Sequence, residues 1–340
     1  MKLMRTEDAV GQVLCHDITQ IIKGVTKDAV FRKGHIITEE DIPVLLSVGK
    51  DHIYIWENNE NMLHENDAAK ILYDMCANEH MTPSEIKEGK IELIAECDGL
   101  LKVDTERLNA VNALGEMMIA CRHGNFPVKK GDKIAGTRII PLVIEKEKME
   151  RAKKAAGEEP IFELIPFKKM KAAIVNTGNE VFYGRIKDTF TPVIIEKLKE
   201  YGAEVVGHVV SDDNHEHITA AIQKFLDEGV DMVLCTGGMS VDPDDRTPLA
   251  IKNTGAEIVT YGAPVLPGAM FLLSYYGEKK RPVIGLPGCV MYAKRTIFDL
   301  VLPRIMAGEI LKKADIDTLG EGGLCLNCPA CTFPNCGFGK

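Results

Sequence analysis

The sequence predicts an α/β protein: a three-layer α/β/α, mostly parallel sheet over residues 166–312, preceded by an α+β region over 1–165 and followed by a short cysteine-rich tail over 313–340. Three observations lead to this. From Lys169 onward, short apolar runs alternate with helical segments, the rhythm of βαβ units with helices on both faces. The run Leu234-Cys-Thr-Gly-Gly-Met-Ser-Val-Asp-Pro-Asp-Asp-Arg246 ends one of those apolar runs in a double glycine followed by three carboxylates. Four of the ten cysteines crowd into the last sixteen residues.

In chain order, residues 1–60 mix β-like runs such as Gly11-Gln-Val-Leu-Cys and His52-Ile-Tyr-Ile-Trp56 with turns. Trp56 is placed at the end of its apolar run as a packing residue. Thr38 to Gly49 predicts a helix, with Thr38 as N-cap, an acidic first turn and a terminal glycine. Residues 62–95 read as partly helical, with Pro83 ahead of a second helix. Leu108, Val111, Leu114 and Met118 keep helical spacing across 104–123. Phe126 to Ile144 reads as two short strands around a Lys-Gly-Asp turn, and Glu145 to Glu159 as an exposed helix or connector. This makes an α+β region of one or two lobes, with a boundary near 160–168.

Beyond it, Ala172-Ala-Ile-Val-Asn, Glu204 to Val210, Val230 to Cys235 and Pro282-Val-Ile-Gly-Leu read as strands. Thr191 to Tyr201, His215 to Gly229 and Val290 to Met306 read as helices. Ligands of such sheets bind beyond the carboxyl ends of the strands. Four segments fall there: Asn176-Thr-Gly-Asn-Glu-Val181, Ser211-Asp-Asp-Asn, the glycine turn with its acids, and Leu286-Pro-Gly-Cys289 opening a helix.

The bulk properties narrow the function classes. The formal net charge of −9 argues against a nucleic-acid binder. No run of about 18 apolar residues predicts a membrane span, and the polar start Met1-Lys-Leu-Met-Arg-Thr-Glu-Asp does not resemble a signal peptide. The expected location is the cytoplasm, where cysteines serve as thiols or metal ligands rather than disulfides. Glycine turns admit a ligand close to the main chain and free backbone N–H groups for phosphate. Carboxylates beside them suit a hard cation such as Mg²⁺. Singly, each segment reads as a tight turn or an N-cap; together they predict a phosphate and metal site with Glu180, Asp212 and Asp245 at one sheet edge. His215 and His217 read as surface or capping residues, Cys235 as a core residue, and Met117-Met118 as core filler.

These motifs resemble the ligand-binding domain of the molybdenum-cofactor biosynthesis proteins, the MoeA, MogA and gephyrin family, over about 168–310. Asn176-Thr-Gly-Asn-Glu-Val is similar to the Ser-Thr-Gly-Asp-Glu-Leu signature of the MoeA-type insertase branch. Asp188 matches its Asp-Ser/Thr-Asn element, with Phe190 in place of the Asn. Thr236-Gly-Gly-Met-Ser-Val is similar to Ser/Thr-Gly-Gly-Val-Ser-Val. Leu266-Pro-Gly-Ala stands for Lys-Pro-Gly-Lys, and Gly285-Leu-Pro-Gly-Cys-Val for Gly-Leu-Pro-Gly-Asn-Pro. The insertase's Ser-Ala-Met-Asp-Gly-Tyr-Ala signature has no counterpart in the first half.

The resemblance implies a ligand of the molybdopterin type, free or adenylylated. By position, Glu180, Asp212 and Asp245 match the acids of molybdate insertion, with Asp212 and Asp245 also at Mg²⁺. Thr177, Gly178, Asp188, Thr236, Gly237, Gly238, Ser240, Pro287 and Gly288 match the cofactor-binding positions. The implied reaction is transfer of molybdate to adenylylated molybdopterin with release of AMP. The alternatives are a non-catalytic carrier or sensor and a molybdopterin adenylyltransferase. The resemblance also implies a homodimer, serving a molybdoenzyme or another cofactor-biosynthesis protein.

The tail carries Cys325-x₂-Cys328-x₂-Cys331-x₄-Cys336. Four thiolates at such spacing predict one metal centre, either an iron–sulfur cluster or a structural Zn²⁺.

Overall fold

Strands buried on both faces shape the second half of the chain. The computed structural model describes residues 2–22, 24, 26–55 and 60–340. Six strands form one sheet: β1 (Lys171–Thr177), β2 (Glu204–Ser211), β3 (Met232–Thr236), β4 (Glu257–Tyr261), β5 (Leu272–Tyr276) and β6 (Arg281–Leu286). Their order is β2-β1-β3-β6-β5-β4. The first four in that order run parallel, so the carboxyl ends of β1, β2, β3 and β6 share one edge. β5 and β4 add on antiparallel.

Side chains on alternate residues of a strand leave by opposite faces. Ala172, Ile174, Leu234 and Ile284 thus enter one apolar layer, with Ile194, Leu198 and Phe298 from α1 (Phe190–Lys199) and α4 (Ile297–Met306). Ala173, Val175, Val233 and Cys235 enter the other, with Ile218, Ile222 and Ile251 from α2 (His215–Asp227) and α3 (Thr247–Asn253). This is the expected three-layer α/β/α arrangement. Cys235 is fully buried, and burial pushes its thiol pKa up, which fits a core residue.

By contact density the chain divides into two compact units, one of residues 1–94, 103–122 and 133–163, the other of 95–102, 123–132 and 164–340. The first holds an antiparallel sheet of Met81–Pro83, Lys90–Ala95, Lys133–Ile139 and Met117–Cys121, in that order. It also holds helices Asp41–Ser47, Glu65–Cys76, Thr105–Asn112 and Lys146–Ala156. Leu14, Ile18, Leu45 and Ile53 form a small core in its first 55 residues.

Several local expectations are corrected. No helix follows Pro83; that stretch is extended and pairs into the sheet. The helix read across 104–123 stops at Asn112. Gly115, at φ +71°, turns the chain, and Met117-Met118 lie in a strand whose partners are Arg138 and Ile139. Thr38 is not the N-cap of its helix; its N–H and Oγ1 instead donate to Asp41 Oδ2 at 2.8 and 2.9 Å, and the helix begins there. The helix read from Val290 begins only at Ile297, where Thr296 and Asp299 form a capping box. β4 and β5 lie in a stretch where no strand was expected. Trp56 lies outside the described residues. Among the described residues no helix is long and apolar enough to cross a membrane.

One buried charge cluster joins α1 to α4. Lys197 Nζ donates to both Asp299 oxygens at 2.7 and 2.8 Å and to the Lys294 carbonyl at 3.0 Å. Arg295 donates to Asp299 Oδ1 at 2.8 Å, and the Thr296 N–H to Oδ2 at 2.7 Å. Asp299 is 1% exposed and Lys197 6%. Removing one partner of a buried pair leaves the other charge uncompensated. Asp299→Ala is therefore expected to cost about 3–5 kcal/mol, and Lys197→Met less, because Asp299 keeps Arg295 and its amide donor. Urea unfolding of the two variants against the parent measures the order.

Candidate functional site

The site is built where β1 and β3 end side by side. Asn176 pairs with Thr236 at the last rung, and the two chains then turn away around Gly178 and Gly237. Gly237 has φ +88°, and a Cβ there would stand 2.1 Å from the Thr177 carbonyl oxygen. Gly238 has φ +55°, and a Cβ would stand 2.9 Å from Thr247 Oγ1. Only glycine satisfies both the left-handed backbone and the close approach. Thr247 Oγ1 donates to the Gly237 carbonyl at 2.8 Å and meets Thr177 Oγ1 at 3.0 Å. Since the Thr247 proton is committed to Gly237, Thr177 is the donor of that second bond. Tyr261 Oη, from β4, donates to the Met239 carbonyl at 2.9 Å. The loop is thus pinned from three elements.

A cavity of about 490 Å³ opens over this turn. Of the residues expected at the site, Thr177, Glu180, Gly237, Gly238, Ser240, Asp245, Pro287 and Gly288 line it. Asp245 Oδ2 accepts from the Ser240 N–H at 2.9 Å, closing the acidic loop on itself. The Glu180 carboxylate lies over Gly178, whose added Cβ would meet Oε1 at 2.9 Å.

Others are placed elsewhere. Gly178, Asp188 and Thr236 do not line the cavity. Asp188 Oδ1 accepts from the N–H groups of Phe190 and Thr191 at 2.9 and 3.1 Å, capping α1. Burial raises the Asp188 pKa, and hydrogen bonds led by Thr191 outweigh it, so the carboxyl rests below its usual range. Thr236 is fully buried at the end of β3. Asp212 does not line the cavity; its oxygens lie 2.9 and 3.0 Å from His217 Nδ1 on α2. Leu286-Pro-Gly-Cys289 does not open an α-helix. Gly288–Met291 makes a single 3-10 turn, so no long helix dipole points into the cavity.

Asp213, which the sequence reading passed over, is the acid that senses the others. Its Oδ2 accepts from the Asn179 N–H at 3.0 Å. Burial raises its pKa, and Glu180, Asp244 and Asp245 push it the same way. Its neighbour Asp212 shares the same Asp-Asp-Asn segment, so only the strand's exit direction separates the two. Phe190, which stands in place of the family's Asn, lines the cavity, as do Lys187, Met270 and Met291, which carry no local sequence signal. Ala269 and Cys289 line it where the resembled family has Lys and Asn. Burial raises the Cys289 thiol pKa, which Lys197 partly offsets.

Among the described residues no group of three or more His, Cys, Asp or Glu is arranged to hold a metal ion. Two carboxylates, Glu180 and Asp245, nevertheless face one cavity. Mg²⁺ usually binds through one or two carboxylates plus substrate phosphates and water rather than a full protein cage, so the donor set fits that ion.

An open α/β sheet with parallel central strands and a glycine turn at its carboxyl edge defines a fold of the doubly wound class. Residues 173–307 match the family described as "Probable molybdopterin binding domain". Residues 3–57 match a domain of unknown function. A molybdopterin molybdenumtransferase from Synechococcus elongatus is 28% identical over 182 residues, 51% of this chain and 42% of that protein. A CinA-like protein from Mycobacterium avium is 34% identical over 90 residues, 26% of this chain and 21% of that protein. The chain therefore spans less than half the length of either relative. A crystal structure of the tungsten cofactor synthesizing protein MoaB from Pyrococcus furiosus is 22% identical, with a TM-score of 0.32, over 36% of this chain and 84% of that one.

Two outcomes follow from this geometry. Gly237→Ala places a side chain against the Thr177 backbone in a left-handed conformation, and is expected to cost about 1–3 kcal/mol, read as a lowered unfolding midpoint. Asp213→Asn removes a carboxylate whose folded pKa is raised. Such a group lowers stability once pH exceeds the ordinary aspartate value of about 3.9, fully so above the folded pKa. The variant should melt higher than the parent near neutral pH, and the difference should vanish in acid; thermal melts across pH check this.

Proposed function

We propose that residues 166–312 bind molybdopterin or its adenylylated form, and that the chain transfers molybdate to the adenylylated form with release of AMP. The single observation behind this reading is the cavity in which the Gly237-Gly238 turn, Glu180 and Asp245 meet. The glycine turn lets an anionic ligand approach the main chain. Asp245 holds the Ser240 N–H, the kind of donor a ligand phosphate takes. A phosphate that displaces Asp245 from this amide frees the carboxylate to face the cavity.

In this reading the pyrophosphate lies between Glu180 and Asp245, with Lys187 on the same wall. Mg²⁺, when bound, supplies charge neutralisation at the pyrophosphate. Glu180 and Asp245 hold it, and Thr177 and Thr247 keep the loop in place. Phe190, Met270 and Met291 give the cavity an apolar wall that excludes water. Asp212, outside the cavity lining, positions the start of α2 through His217.

A second reading, a carrier or sensor that binds without turnover, is favoured by Ala269 and Cys289 in the cavity wall. Both replace polar family residues with groups that bind anions weakly. One assay separates the two. Full-length protein with adenylylated molybdopterin, molybdate and Mg²⁺ is expected to release AMP. Glu180→Gln and Asp245→Asn should each slow this by about 100-fold, the scale of removing one electrostatic contributor to the transition state. Tight ligand binding with no AMP from the parent protein would sink the transferase reading and leave the carrier.

A further inference from the structure

All four tail cysteines, Cys325, Cys328, Cys331 and Cys336, line a second cavity of about 550 Å³, separate from the first. The loop that carries them is closed at its base. The Cys325 N–H donates to the Leu266 carbonyl at 2.8 Å, and the Leu266 N–H to the Gly323 carbonyl at 2.8 Å. At the other end the Gly339 N–H donates to the Gly322 carbonyl at 2.9 Å. The approach is so close that a Cβ on Gly322 would stand 2.2 Å from the Lys340 carbonyl oxygen. Phe338, 4% exposed, anchors the returning strand in the core, and Phe333, Cys325 and Cys336 pack against the same layer. Cys328 and Cys331 stand exposed at the rim. These bonds close the base of the loop, which lowers the chain entropy lost on binding.

We propose that this loop binds an iron–sulfur cluster of the four-iron type. Three cysteines separated by two residues each, with a fourth beyond, is a ligand pattern for such clusters. The size of the cavity favours a cluster over zinc. A tetrahedral Zn²⁺ with Zn–S bonds of about 2.3 Å draws its sulfurs to within about 3.8 Å of one another. The four cysteines line a cavity of about 550 Å³, which has room for a body several ångströms across. Lys294 and Arg295 also line the cavity, Lys294 Nζ donating to the Pro329 carbonyl at 2.9 Å and Arg295 lying 4.9 Å over the Phe333 ring. Arg295 is paired with Glu200 and Asp299 at 2.8 Å, so Lys294 is the cation that offsets part of the negative charge of a cluster held by four thiolates. On loading with two Fe²⁺, two Fe³⁺ and four sulfides, four iron–thiolate bonds form and four thiol protons leave to solvent with no further oxidant, so binding weakens as pH falls.

The cluster lies at one end of the segment 288–295. Cys289 and Met291 of that segment line the first cavity, while Tyr292, Lys294 and Arg295 line the second. The two sites are neighbours through one stretch of backbone. The inference does not depend on turnover at the first site.

The test uses the full-length chain purified without oxygen and reconstituted either with Fe²⁺, Fe³⁺ and sulfide or with Zn²⁺ alone. The expected result is broad visible charge-transfer absorption with about four iron and four sulfide per chain. Both should fall to background in the Cys328→Ser/Cys331→Ser variant. These residues are exposed, so its metal-free melting curve should match the parent's, and Cys97→Ser should keep the full signal. Stoichiometric zinc with no uptake of iron and sulfide overturns the proposal. So does failure to bind metal in both arms, or a cluster that persists in the double variant.

Discussion

The contact between Gly237 and the Thr177 carbonyl is the constraint on which the site depends. A methyl group at Gly237 would lie 2.1 Å from that oxygen, so no side chain is tolerated where β1 and β3 part. The parallel pairing of these strands carries the two exits side by side, and the Thr177–Thr247–Gly237 hydrogen bonds hold them there. Two of the acids at the first cavity follow from this point. Glu180 follows β1 by three residues, and the acidic loop from Ser240 to Asp245 follows β3.

Electrostatics then sets what the site accepts. Burial holds the Asp213 carboxyl above its ordinary range, and the nearby Glu180, Asp244 and Asp245 push it the same way. Like charges held this way favour a bound cation. The Asp245 carboxylate on the Ser240 amide shows the complementary feature, an anion held by the loop backbone. A ligand with a phosphate and a divalent ion satisfies both at once, which neither partner does alone.

The same core supports the second cavity. Lys197, Arg295 and Asp299 tie α1 to α4, and Arg295 continues outward to cover Phe333 in the cysteine loop. The residues that fix the helix start are therefore also those that face the tail. Thr296 caps α4 immediately after Arg295, which delays the helix and leaves 288–295 as the irregular segment shared by both cavities.

Local chemistry determined much of this from the sequence alone. Strands β1, β2, β3 and β6 and helices α1 and α2 were legible because apolar alternation and helical spacing are properties of neighbouring residues. The glycine turn was legible because glycine pairs mark left-handed backbone. The tail was legible because four cysteines at fixed spacing have few other uses. What depends on distant partners was decided only by the tertiary structure. Met117-Met118 became a strand because Lys133–Ile139 pairs with it. β4 and β5 exist because β6 offers an edge. Asp213 rather than its neighbour Asp212 lies among the acids, since β2 ends at Ser211 and the next two side chains leave in different directions, one to His217 and one to Asn179. Spacing along a chain cannot distinguish adjacent carboxylates; the direction in which a strand releases them can.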